Sequence, residues 1–163
     1  MNKVFYYTIK ELLDRVKNYS LYHEDGGEKE FDDISIGNDD YSFVRLLLET
    51  SASEVYKIVQ SMVPVEVESG SAFGFDEPCM VNGDSFDGDI WFYLVFPVNF
   101  RQSNVKTVDN AIKECLCHKT LFKWADKKGR FIEKIYVEKE KSESRLKEEI
   151  NFRTNMSREY RRY

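Results

Sequence analysis

The chain has few histidines and cysteines, and it has none of the sequence motifs that mark common enzyme active sites. It contains two histidines, His23 and His118, and three cysteines, Cys79, Cys115 and Cys117. The P-loop, the G-x-G-x-x-G turn, the G-x-S-x-G elbow and the kinase motifs do not occur in it. The sequence therefore predicts that the protein is not an enzyme, with no catalytic residues and no cofactor.

Long apolar runs are also missing. No stretch approaches the roughly 18 apolar residues that span a bilayer, and the N-terminal residues contain no apolar segment typical of a signal peptide. The odd number of cysteines fits a reducing compartment better than a disulfide framework. We therefore expect a protein that is made and kept in the cytoplasm, with no membrane partner.

The chain contains residue types that bind metals, but they do not have the spacing that a metal site requires. Cys115, Cys117 and His118 form "CLCH", which lacks the paired C-x₂₋₄-C and H-x₃₋₅-H arrangement of a zinc site. His118 lies one helical turn from Cys115, but that helix is apolar enough to be core, where a thiol is not activated. We expect no metal and no nucleophilic cysteine.

The densest acidic cluster, "NGDSFDGD" at residues 82–89, is interpreted as a turn. With Gly88 at the sixth position of a calcium loop, Gly83 would occupy the first, where an acidic or amide oxygen is needed. Asn-Gly and Asp-Gly pairs are typical of hairpin turns. The segment is predicted to orient strands and to bind nothing.

What the chain does have is enough apolar material for one core. It has 163 residues, 42% of them hydrophobic, with 12 Phe, 10 Tyr and 2 Trp, which is typical of a single domain. Its net charge is −5, so no broad nucleic-acid surface is expected. Residues 130–163 carry 10 basic and 7 acidic side chains, a charge of +3, which leaves −8 for the rest.

Helical spacing of apolar residues predicts three helices, at about residues 8–23, 39–62 and 107–126. Caps support these ends: Thr8 with Glu11 as a capping box, Asn38 or Asp39 at the second helix, Thr107 at the third, and Gly129 as a stop.

Two predictions concern the middle of the chain. Leu116 and Trp124 are predicted core residues of the third helix. Alternation and aromatic content predict antiparallel strands within residues 63–100.

These elements predict an α+β fold, in which a helical domain of three to four helices carries an inserted antiparallel hairpin or small sheet. We expect residues 1–137 to form this domain and residues 138–163 to form a long charged C-terminal helix or interaction tail. Apolar residues are sparse there, so the segment is predicted either to lie in solvent or to pack on another chain. Arg and aromatic side chains are favoured at interfaces. The candidate partner-binding residues are Phe152, Arg153, Met156, Arg158, Tyr160, Arg161 and Arg162.

Several stretches carry a likeness to a known family: "NDDYSFVRLLLETSASEVYKIVQSM", "IWFYLVFPVNF" with the following "VDNAIKECLCHKTLFKWA", and the terminal "RTNMSREYRRY". With the order of the elements, they resemble small head-to-tail connector (neck or ring adaptor) proteins of tailed bacteriophages and prophages. The likeness spans nearly the whole chain as a pattern of elements.

The resemblance implies a structural virion protein in the phage neck, made in the host bacterial cytoplasm. Such proteins form rings, typically of twelve copies, and contact the portal protein and neighbouring neck or tail proteins, while DNA passes through as cargo. Two alternatives stay open: a tail-completion or terminator protein of the same particle, and a small non-enzymatic adaptor or immunity-type binding protein.

Overall fold

The structure is a computed structural model. It describes residues 2–22, 36–62, 79–80, 88–96, 102–129 and 133–159. Within these ranges the chain forms the predicted α+β fold, mostly helical with a small antiparallel sheet. In chain order, the elements are β1 (Asn2–Thr8), α1 (Ile9–Tyr22), a short 3₁₀ turn (Asn38–Asp40), α2 (Tyr41–Met62), β2 (Cys79–Met80), β3 (Asp89–Val95), α3 (Gln102–Lys127) and α4 (Glu133–Glu159).

The sheet has the strand order β1-β3-β2, with both strand pairs antiparallel. β1 and β3 pair over their full lengths, from Asn2 opposite Val95 to Thr8 opposite Asp89. β1 was not predicted, because all strands were expected within residues 63–100. Its seven residues run directly into a helix cap, and its partner lies far along the chain, so nothing in the local sequence identifies β3 as that partner.

α3 is the central helix, and it packs against α1, α2 and α4. Leu116 and Trp124 are buried in it, which confirms their prediction as core residues. The buried face of the sheet supplies Phe5, Tyr7 and Phe92, and the rings of Tyr7 and Phe92 meet edge-on with centroids 5.8 Å apart. One core therefore joins the sheet to the helices.

Some of the predicted helix caps are observed, and others are not. The hydroxyl of Thr8 accepts a hydrogen bond from the backbone N–H of Glu11 at 3.3 Å, and Gly129 follows α3 with a φ of 71°, a left-handed conformation that suits glycine. Thr107 is not a cap. α3 begins at Gln102. Because its first turn is polar, the spacing of apolar residues predicted a start that is five residues too late.

α4 corrects the sequence prediction for the C-terminal segment. Ile135, Leu146 and Ile150 are buried in the same core as α3, and the boundary at residue 137 falls inside one continuous helix. The prediction that residues 138–163 lie in solvent or pack on another chain is therefore wrong for Leu146 and Ile150. The low number of apolar residues in this segment did not indicate their burial. A helix can pack through a narrow stripe of regularly spaced apolar residues even where such residues are few.

None of the helices in the described ranges combines the length and the apolar character needed to cross a membrane.

Candidate functional site

The cysteines and the histidine of α3 occupy structural positions. Cys115 and Cys117 are buried, and burial raises the pKa of both thiols to about 12. The Cys117 thiol donates to the backbone oxygen of Leu12 at 3.9 Å, and the ring of His118 stacks on Tyr19 with 4.6 Å between centroids. Both thiols are therefore protonated at neutral pH, and neither supplies the thiolate that a nucleophile or a metal ligand requires.

Within the described ranges, no group of three or more His, Cys, Asp or Glu side chains is placed to hold a metal ion. Most of the turn at residues 82–89 lies outside the described residues. At its end, the Gly88 oxygen accepts a hydrogen bond from the Ile9 N–H at 2.9 Å, so this point of the chain joins β3 to the start of α1.

A buried phenol ties β1 to α3. The hydroxyl of Tyr7 donates to Asp109 Oδ1 at 2.8 Å, and Lys113 lies 4.0 Å from the other oxygen of that carboxylate. Burial, and then the charge and hydrogen bond of Asp109, raise the pKa of Tyr7 well above its usual value. The phenol therefore stays neutral and holds the sheet on the helices.

An ion-pair network joins α2, α3 and α4, and we call it the three-helix network. The ammonium of Lys119 contacts Glu54 on α2 at 3.3 Å and Glu143 on α4 at 2.5 Å. Lys123 also pairs with Glu54 at 2.5 Å, and Lys139 lies 3.6 Å from Glu143. Charges placed this way fix the relative position of three helices.

The face of the sheet that is turned away from the helices is the best-defined exposed apolar surface of the described residues, and we call it the outer sheet face. It presents Val4, which is 44% exposed, and Tyr6, which is 59% exposed. The Tyr6 ring lies against that of Trp91 on β3, with centroids 5.2 Å apart. Further exposed large apolar side chains are Leu21, Phe43, Leu46, Tyr136 and Val137.

Sequence reasoning did not identify the outer sheet face. The available signal was the alternation along "KVFYYT", in which Phe5 and Tyr7 belong to the core while Val4 and Tyr6 are exposed.

The predicted partner-binding residues fall at the end of α4 and beyond it. The backbone of Phe152, Arg153, Met156 and Arg158 continues α4, while their side chains are outside the described residues. Tyr160, Arg161 and Arg162 also lie outside the described residues. Their role in binding stays a prediction.

Comparison with known proteins assigns no relative: no protein family, no curated protein and no solved structure matches the chain.

Proposed function

We propose that the chain is a non-enzymatic structural protein of the head-tail connector of a tailed bacteriophage. In this proposal it assembles as a homo-oligomeric ring below the portal, and DNA passes through the ring. Its partners are copies of itself, the portal protein and neighbouring neck or tail proteins.

The proposal rests on α4, which is buried along part of its length and then extends beyond the last of its described buried residues. The helix is anchored to the core by Ile135, Leu146 and Ile150, and its backbone then continues to Glu159. At 1.5 Å per residue, the part beyond Ile150 is about 13 Å long. A firmly anchored helix with an extension rich in Arg and aromatic residues is suited to reach a neighbouring subunit.

Exposed apolar side chains support an assembly role as well. Val4 and Tyr6 lie on the outer sheet face, Phe43 and Leu46 on α2, and Tyr136 on α4. Large apolar groups on several surfaces are expected of a subunit that several neighbours cover. The net charge of −5 favours DNA as cargo and not as a ligand, because an acidic protein makes few phosphate contacts.

The alternatives predict different assemblies. A tail-completion or terminator protein also oligomerises, but it occupies the tail end of the particle. A small adaptor or immunity-type protein acts as a monomer.

Negative-stain electron microscopy of the purified chain, alone and with a portal protein, tests the proposal. We expect closed rings with a central opening wide enough for duplex DNA, and docking of these rings on the portal. Rings that bind tail tubes and not portals would favour the terminator alternative. Particles no larger than a dimer under all conditions would overturn the connector proposal, and monomers alone would favour the adaptor.

A further inference from the structure

β1 is an edge strand in the described part of the sheet, and it has few of the features that prevent edge strands from pairing. It contains no proline, and its register with β3 runs from Asn2 to Thr8 without a bulge. Its one charged residue, Lys3, lies near the end of the strand. Prolines, bulges and several charges are the usual protection of an edge, so β1 is well suited to accept a further strand.

The hydrogen bond from Ile9 to Gly88 shows which backbone groups of β1 are directed to the open edge. This pair extends the β1–β3 register by one residue, and its N···O distance is 2.9 Å. In an antiparallel ladder, hydrogen-bonded pairs alternate with pairs that are not bonded. Phe5 and Tyr7 therefore bond to β3, whereas the N–H and C=O groups of Val4 and Tyr6 are directed away from it.

The same two residues have the exposed large apolar side chains of the strand. Val4 and Tyr6 lie on the outer sheet face, while Phe5 and Tyr7 are buried against the helices. Val4 and Tyr6 thus provide both the backbone groups that no strand of the described sheet pairs with and the exposed apolar surface of this edge.

We propose that β1 pairs antiparallel with β1 of a second copy of the chain, about a two-fold axis at Phe5. Each three-stranded sheet then becomes half of a continuous six-stranded sheet. Val4 of each copy lies opposite Tyr6 of the other, in two hydrogen-bonded pairs. Pairs of an aromatic and a β-branched residue are among the favourable cross-strand contacts.

The register follows from the strand itself. A shift by one residue would pair residues whose N–H and C=O groups are directed to the open edge with residues whose groups are directed to β3. The two strands could then not exchange hydrogen bonds. A shift by two in one direction would place Val4 opposite its own copy and Tyr6 opposite Asn2. In the other direction it would place Tyr6 opposite its own copy and Val4 opposite Thr8. Both shifts separate the Val4–Tyr6 pairs and shorten the overlap to five residues. Pairing centred on Phe5 overlaps all seven residues of β1, and it sets Lys3 opposite Tyr7 and not opposite a second Lys3.

This contact is independent of the connector proposal. A two-fold contact joins the same surface of both subunits and closes on itself, so it produces a dimer and does not by itself build a ring. Loss of the β1 contact with rings intact would overturn only the β1 pairing. A dimer joined through β1 without rings would overturn only the connector.

Two double variants test the pairing through charge. In Val4→Lys/Tyr6→Lys, the introduced lysines of the two copies face each other, whereas in Val4→Lys/Tyr6→Glu each introduced lysine faces an introduced glutamate. Sedimentation equilibrium at low salt should show dimerisation weaker by at least about tenfold in the first variant than in the second. Equal dimerisation of the two variants, or a wild-type chain without any two-fold contact, would refute the proposal.

Cysteine cross-linking tests the register in a Cys79→Ser background. Chains with Val4→Cys, mixed with size-tagged chains with Tyr6→Cys, would place the two Cα atoms about 5.5 Å apart, within reach of a disulfide. Two Val4→Cys chains would be separated by about 8–9 Å, which is too far. We expect oxidation to give mainly mixed dimers, with circular dichroism confirming that each chain is folded. Equal amounts of mixed and self dimers, or no cross-linking, would contradict the register.

Discussion

Lys119 Nζ on α3 lies 2.5 Å from Glu143 Oε1 on α4, and this ion pair links α4 to the central helix of the domain. The two side chains are 8% and 15% exposed, so the pair is largely withdrawn from water. Burial lowers the pKa of Lys119, but the hydrogen bond and charge of Glu143 and the charge of Glu54 outweigh burial and raise that pKa. The ammonium therefore stays charged between two carboxylates from different helices.

Removing this contact should weaken the attachment of α4. Glu143→Ala deprives the buried Lys119 ammonium of one carboxylate and should lower the free energy of unfolding by about 1–3 kcal/mol, the range for a buried polar group that loses its partner. Urea denaturation measures the loss. Lys141→Ala on the same helix is the control, because its side chain is 67% exposed and its partner Glu138 is one turn away. An equal effect of both substitutions would contradict a structural role for the Lys119 pair.

The carboxylate of Glu54 should make stability depend on pH. Burial raises the pKa of Glu54, but the hydrogen bond and charge of Lys123 and the charge of Lys119 outweigh burial, and the pKa is lowered from 4.5. Because the folded pKa is below the unfolded one, the contribution is complete above the ordinary carboxyl pKa and is lost as the pH falls through the folded pKa. Wild type should exceed Glu54→Gln in unfolding free energy at neutral pH, and this difference should shrink below about pH 4.5. Urea denaturation across the pH range measures the difference. A difference that persists in acid would contradict the assignment.

The buried residues of α4 predict where the chain can be shortened. Leu146→Ala or Ile150→Ala should cost roughly 2–5 kcal/mol, as for other large side chains removed from a core. A chain ending at Arg145 should therefore melt at a clearly lower temperature than the full chain. A chain ending at Ile150 should melt close to the full chain, because it keeps every described core residue. Thermal denaturation followed by circular dichroism compares the three. Equal melting of all three would place Leu146 and Ile150 outside the core.

Helices with strong local signals were predictable from the sequence, and distant pairings were not. The apolar periods that contain Val16, Leu47 and Leu116 are local, so they gave three helices with ends within a few residues of those observed, except at the start of α3. β1 depends on β3, whose register places Phe5 opposite Phe92, and nothing near Phe5 indicates that partner. The burial of Leu146 likewise depends on how α4 meets α3.

The same distinction between local and distant contacts decides which features of the candidate sites were predictable. Cys115 was predicted to be an inert core residue from the apolar pattern around it, and its burial agrees. The outer sheet face could not be predicted without β1, because the exposure of Val4 and Tyr6 depends on which face of the strand the helices cover.

The cysteines of α3 should be unreactive in the folded chain. Burial raises the pKa of Cys115 and Cys117 to about 12, so the thiolate fraction at neutral pH is very small. In a Cys79→Ser background, a thiol reagent such as DTNB should label neither residue until urea unfolds the chain, and then both. Fast labelling of Cys115 under native conditions would show that the helix opens or that the thiol is activated.

Native mass spectrometry of the full chain, beside the chain that ends at Ile150, tests most directly whether this is a ring-forming structural protein. We expect the full chain to give one large closed oligomer with a fixed number of subunits. The shortened chain should be folded and should give subunits or dimers, because it lacks the extension of α4 and the arginines beyond it. A full chain that never exceeds a dimer, or a ring that forms equally well without residues 151–163, would contradict the account.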